Sequence, residues 1–232
     1  MRLFTFPYAF GTDAMYHDLE KALSHRINIK NMNYPGHGYR IQEKVSHSIE
    51  ELASDAIELI KKTNEDYALL GYSMGAKVCC EVVRQLHGTP YRQPKHVFLL
   101  ASPPPSNVSK ISKTGDIDLE EAREILRVRG NTPQEVIDSQ EMMEFIFPII
   151  EGDVKSLESY HCPSWPFDTF DIPATMINGH DDFAVESEQE WRAFFPEDAI
   201  CDFFKLDGGH LFLFENKENF KVVTEIILNK LT

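Results

Sequence analysis

The chain has 232 residues, enough for one α/β domain with a substantial core, and its 42% hydrophobic and 26% charged residues match a globular protein in water. Asp and Glu number 37 against 23 Lys and Arg, and the formal charge of −14 repels phosphate backbones and anionic lipid, so neither nucleic acid nor a membrane is an expected partner. Four cysteines with no CxxC spacing cannot build a disulfide framework, and no apolar run approaches the ~18 residues that span a bilayer; with no signal-peptide pattern at the N-terminus, the expected location is the reducing cytoplasm.

Along the chain, short apolar runs alternate with helical patterns. Residues 3–6 read as a strand, 14–23 as a helix and 27–31 as a strand. Residues 48–62 read as a helix, because Ile49, Leu52, Ala53, Ala56, Leu59 and Ile60 recur on one face. A strand at 67–71, a helix at 74–86 and a strand at 96–101 follow. From 102 to 171 the rhythm breaks: no strand is read, only helical patches such as 119–128 and 133–137, fenced by Pro103, Pro104 and Pro105 on one side and Pro163, Pro166 and Pro173 on the other. The pattern resumes with a strand at 174–178, a helix at 187–195, a strand at 201–206 and a helix at 219–228. This order predicts a single α/β domain over 1–232, its mostly parallel sheet flanked by helices, with a helical lid inserted at about 103–171. In such sheets the chemistry collects at the carboxyl ends of the strands.

Gly71-Tyr72-Ser73-Met74-Gly75 lies at one of those ends, between an apolar strand and a helix. Small residues on both sides allow a tight, strained turn that presents the serine hydroxyl at a helix N-terminus, the arrangement of a nucleophile elbow. A hydroxyl needs a base, and the loop after the last strand supplies His210 behind the flexible pair Gly208-Gly209. The chain order Ser, Asp, His then requires an acid in an intervening loop. The loop after 96–101 has no carboxylate, whereas Gly179-His180-Asp181-Asp182 has two; Asp182 is the choice and Asp181 the alternative. Met74, directly after the nucleophile, and Tyr8, in the turn Pro7-Tyr8-Ala9-Phe10-Gly11 after the first strand, are the expected backbone donors to an oxyanion, with Ala9 as the neighbouring possibility. No HxH or HExxH spacing suggests a metal, and no cofactor is expected.

Taken in order, these segments resemble the type II, editing thioesterases that accompany nonribosomal peptide and polyketide synthases, a family of the α/β-hydrolase fold. The resemblance rests on Phe6-Pro7-Tyr8-Ala9-Phe10-Gly11, Tyr34-Pro35-Gly36-His37-Gly38, the elbow with Ala76, and the lid segments Arg129-Gly130-Asn131-Thr132-Pro133 and Pro148-Ile149-Ile150-Glu151-Gly152-Asp153 with Tyr160 beyond. It extends through Gly179-His180-Asp181-Asp182-Phe183-Ala184-Val185 and Gly208-Gly209-His210-Leu211-Phe212. Two departures stand out: Phe10 replaces a glycine, and the lid lacks the arginine often found just before the aspartate at 153.

The resemblance implies hydrolysis of misloaded or stalled acyl groups from the phosphopantetheine arm of acyl or peptidyl carrier domains; a monomer is the default expectation. Because such domains are usually acidic, docking calls for a local basic patch; Lys110, Lys113, Arg123, Arg127 and Arg129 cluster in the lid, with Arg123 and Arg127 the chosen pair. A small-molecule carboxylesterase, an acyltransferase and a non-catalytic binding protein of the same fold are the competing readings.

Overall fold

The computed structural model describes residues 1–107, 111, 116–130, 132–162, 164–165, 172–182 and 188–232. Six strands, β1 (Arg2–Phe6), β2 (Asn28–Asn31), β3 (Tyr67–Tyr72), β4 (Val97–Leu100), β5 (Ala174–Gly179) and β6 (Cys201–Leu206), form one sheet in the order β2-β1-β3-β4-β5-β6. Every neighbouring pair is parallel. The central strands β3, β4 and β5 are buried at every residue, as their unbroken apolar sequences require when helices cover both faces. The edge strands β2 and β6 are partly exposed.

On one face α2 (Ile49–Ile60), α3 (Met74–Leu86) and α7 (Glu188–Phe194) pack over Phe4, Leu69, Leu99 and Met176. On the other, α1 (His17–Leu23) and α9 (Lys217–Leu231) cover Leu3, Leu70, Phe98 and Ile177. Helix α2 begins where Ser48 accepts the Glu51 N–H, an N-cap that fixes its first turn. The expected helix at 14–23 divides into a 3-10 turn (Asp13–Tyr16) and α1, and a further short helix, α8 (Phe212–Glu215), follows the loop of His210. Among the described residues no helix is long and apolar enough to cross a membrane.

Between β4 and β5 lie α4 (Leu119–Arg129), α5 (Gln134–Asp138) and α6 (Gln140–Ser159), packed around Ala122, Leu126, Ile137, Met143, Ile150 and Val154. The stretch expected to form a helical lid carries these three helices, but α6 runs 20 residues where the sequence shows no continuous helix. Pro148 is the reason: it cannot donate to the turn before it and reads as a breaker, yet apolar burial on both sides of it carries the helix through. Both ends of the lid are fastened near α3. The Lys77 ammonium donates to the Asn107 carbonyl (2.9 Å), the Tyr160 hydroxyl donates to Glu81 (3.1 Å), and the Cys162 N–H reaches the Pro105 carbonyl (2.9 Å). Burial draws the Lys77 pKa down to about 8.

Candidate active site

Ser73 leaves the end of β3 with φ 54° and ψ −112°, a backbone conformation that residues with a Cβ rarely adopt and that costs about 1–3 kcal/mol. The surroundings impose it. The Ser73 N–H donates to the Leu100 carbonyl (2.8 Å), and the Ala76 N–H closes the turn on the Ser73 carbonyl (3.0 Å). A Cβ on Gly71 would lie 2.1 Å from the Gly75 carbonyl oxygen, and one on Gly75 would lie 2.2 Å from that of Phe6. Both obstacles are backbone, so neither can yield cheaply. Gly71→Ala is therefore expected to destabilise the fold by about 3 kcal/mol, read as a lowered urea midpoint with an unchanged slope.

His210 is brought to this elbow by its loop. Gly208 takes φ 106°, and a Cβ on Gly179 would come within 2.3 Å of the Gly208 carbonyl oxygen, so the end of β5 and the histidine loop touch through glycines. Two polar side chains hold the loop, one from outside the recognisable motifs and one from within the elbow. Asn219 of α9 donates to the carbonyls of Asp207 (2.6 Å) and Phe212 (3.0 Å), and the Tyr72 hydroxyl donates to the His210 carbonyl (2.5 Å). An asparagine inside an otherwise helical segment is the signal that could have found the first.

The three side chains meet. His210 Nε2 lies 3.0 Å from Ser73 Oγ, and its Nδ1 lies 2.8 Å from Asp182 Oδ2. Asp182 is buried, whereas its neighbour Asp181 is exposed on the turn and uses its backbone N–H to reach the Gly208 carbonyl (3.0 Å). Of the two carboxylates, it is Asp182 that reaches the imidazole.

Tyr8, Ala9, Phe10, Arg129 and Leu211 wall a pocket of about 300 Å³, counting its opening, around Ser73 and His210. Arg129 enters from the end of α4; burial lowers its guanidinium pKa, against the pull of Asp182. The Gly11 N–H donates to the Tyr8 carbonyl (3.0 Å), closing a tight turn whose third residue, Phe10, has φ 69°. Phe10 thus keeps the left-handed conformation that the family's glycine adopts freely. Its ring bridges the sheet core and the lid cluster, which compensates for the strain. Met74 begins α3, directly after Ser73.

The expected docking pair does not survive intact. Arg123 is only 6% exposed, donates to Gln140 (2.7 Å) and lies 3.2 Å from Glu120, so its charge is spent inside the lid rather than offered at the surface. Arg127 stays exposed, 3.5 Å from Glu124. Lys110, Lys113, Asn131 and the stretch 183–187 lie outside the described residues.

A parallel sheet, a strained serine elbow and a buried carboxylate–imidazole–hydroxyl chain together define a serine hydrolase of the α/β-hydrolase fold. Residues 1–231 match the Thioesterase domain family; the chain belongs to that family and is a serine hydrolase of thioesters. It is similar to the gramicidin S biosynthesis protein GrsT of Aneurinibacillus migulanus, 26% identical over 221 residues that cover 94% of this chain and 84% of the relative. It also resembles a probable cadicidin biosynthesis thioesterase of Streptomyces griseus, 28% identical over 97% of this chain and 61% of the relative. Among solved structures, the type II thioesterase BorB from the borrelidin cluster superposes with a TM-score of 0.84 at 26% identity, over 100% of this chain and 92% of that one. The RedJ thioesterase of the prodiginine pathway in Streptomyces coelicolor gives 0.81 at 26% identity, over 99% and 85%.

Proposed function

We propose that this enzyme releases acyl groups from the phosphopantetheine arm of acyl or peptidyl carrier domains in peptide or polyketide biosynthesis, with Ser73, His210 and Asp182 as its triad. The observation that carries the reading is the hydrogen-bonded chain from Asp182 through His210 to Ser73 at the base of a narrow pocket. Ser73 Oγ attacks the thioester carbonyl while His210 Nε2 takes its proton, and Asp182 holds the ring and stabilises its positive charge. The tetrahedral oxyanion is held by the N–H groups of Met74 and Tyr8, with Ala9 next to them. Collapse breaks the C–S bond; the thiolate leaves readily because a thiol pKa is about 8.5, and it takes the proton from His210 Nε2, which frees the imidazole as a base again. Water, deprotonated by His210, then attacks the acyl-serine; the acid departs and the hydroxyl is restored.

The net charge of −14 gives no general attraction to an acidic domain, so docking depends on local cations. Arg127, exposed on α4, is the candidate that remains from the expected pair. The relatives from gramicidin and cadicidin biosynthesis support the choice of partner. The test is mass spectrometry of carrier domains loaded with a panel of acyl groups. Wild type is expected to return free phosphopantetheine thiol and Ser73→Ala to leave the acyl group in place; a wild type that ignores every acyl-carrier domain yet cleaves small esters would overturn the assignment.

A further inference from the structure

Two segments quoted for the resemblance play no part in the triad: the turn around His37 and the stretch ending in Asp153. The fold joins them. Asp153, in the lid helix α6, is 1% exposed, and His37, in the loop after β2, is 2% exposed. Oδ2 of Asp153 accepts from His37 Nε2 (3.1 Å) and from the backbone N–H of Phe10 (2.6 Å). Phe10 belongs to the turn of Tyr8 and Ala9 that walls the nucleophile's pocket. Glycines make the approach feasible: a Cβ on Gly152 would lie 2.3 Å from Val45 Cγ1, and one on Gly36 would lie 2.4 Å from Val45 Cγ2, so helix and loop close on the same valine.

The ring of His37 has an acceptor on each side. Its Nδ1 faces the Pro35 carbonyl at 3.1 Å, while Nε2 faces the Asp153 carboxylate. A carbonyl only accepts, so Nδ1 must carry N–H toward Pro35; where Asp153 accepts on the other side, the ring that serves both contacts is the imidazolium. A buried carboxylate beside a buried imidazolium costs less than either ion alone; both contacts fall on Oδ2 of Asp153, while its buried Oδ1 has no hydrogen-bond partner among the described residues. Phe10 holds φ 69° without being glycine, so its turn needs an external tether to stay in the left-handed region, and the Asp153 oxygen supplies one.

We infer that Asp153 and protonated His37 are positioning residues, which pin the Phe10 peptide and thereby set the oxyanion-binding turn of Tyr8 and Ala9 against helix α6. This deepens the proposed triad reading and rests on it. Loss of the His37 proton leaves one ring nitrogen facing an acceptor as a second acceptor, and the tether loosens. Burial lowers the His37 pKa, but Asp153 and the Pro35 carbonyl outweigh it and leave the value raised. Among the described residues, Asp153 from α6 and Tyr34, edge-on at 5.6 Å on the same loop, face the ring; Cys79 of α3 acts on Tyr34, and His47 lies beside Gly152. The tyrosine and the cysteine thiol are both pushed up by burial and stay neutral. For a raised histidine, the tether is complete below the ordinary range and lost as pH rises through the folded value, so kcat is expected to fall on the alkaline side.

The test uses a short acyl-N-acetylcysteamine thioester and a fluorophosphonate that labels Ser73. In Asp153→Asn, kcat is expected to drop about 10- to 100-fold with KM within about twofold, labelling to slow in parallel, and the alkaline fall to disappear. His37→Gln is expected to do the same. A folded variant with wild-type kcat and labelling rate would overturn the inference, whereas a wild type that the fluorophosphonate does not label would overturn the triad reading instead. Should both variants fail to fold, nitrogen-15 shifts of the His37 ring in wild type decide: a doubly protonated ring near neutral pH is expected, and a neutral ring sinks the idea.

Discussion

Ser73→Ala is expected to lower kcat for thioester hydrolysis by roughly 10⁴- to 10⁶-fold while leaving the unfolding midpoint near that of wild type. The loss is large because this hydroxyl lies 3.0 Å from His210 Nε2 at the end of the Asp182–His210 chain; without it, water must attack the thioester directly. The fold should tolerate the change. Alanine keeps the Cβ that already occupies the strained conformation at φ 54°, and the bonds holding the elbow come from the Ser73 backbone, not from its side chain. Single-turnover kinetics provide the check: wild type should show a burst of released thiol followed by slower acid formation, and the variant neither. A variant retaining more than about one per cent of the wild-type rate would remove Ser73 from the mechanism.

Much of this site can be read in the sequence because its parts are locally constrained. An elbow needs small residues at 71 and 75 whatever surrounds it, and the crowding against Gly75 and Phe6 carbonyls shows why. His210 is legible from its place behind two glycines after the final strand. The parallel sheet is legible for a similar reason, since strands buried on both faces carry continuous apolar runs. What escapes is the direction of side chains set by distant packing. Arg123 looks like one more lid cation, yet it stands four residues after Leu119 and three before Leu126, on the edge of the stripe that turns inward. Pro148 disguises α6 for the opposite reason: a local rule predicts a break, and tertiary burial overrides it. His37 and Asp153 are 116 residues apart, and no periodicity within either segment announces their pairing. The glycines at 36 and 152 that permit the approach are visible, but what they approach is not.

The choice between Asp181 and Asp182 belongs to the same class of problem, and it leads to the second large effect. Two adjacent carboxylates after β5 look alike in sequence; burial separates them, with the Asp182 side chain at 0% exposure against His210 at 18%, while Asp181 points to solvent. Asp182→Asn is expected to reduce kcat about 10³- to 10⁴-fold. The carboxylate accepts only, so it forces the proton onto Nδ1 and leaves Nε2 free to take the serine proton. An amide can instead donate to Nδ1, which drives the proton to Nε2, where it faces Ser73 Oγ and the base is lost. Even with the correct tautomer, a neutral amide does not stabilise the imidazolium that forms as Ser73 attacks. Both acylation and deacylation use that base, so neither half-reaction escapes. Asp181→Asn should leave kcat within about twofold, because removal of an exposed turn charge acts through water and is screened. Steady-state kinetics of the two variants side by side make the comparison independent of errors in enzyme concentration or substrate purity. If Asp181→Asn carried the larger loss, the imidazole would have to take its orientation from the exposed carboxylate, and the hydrogen bond at 2.8 Å between Nδ1 and Asp182 would be a structural contact alone.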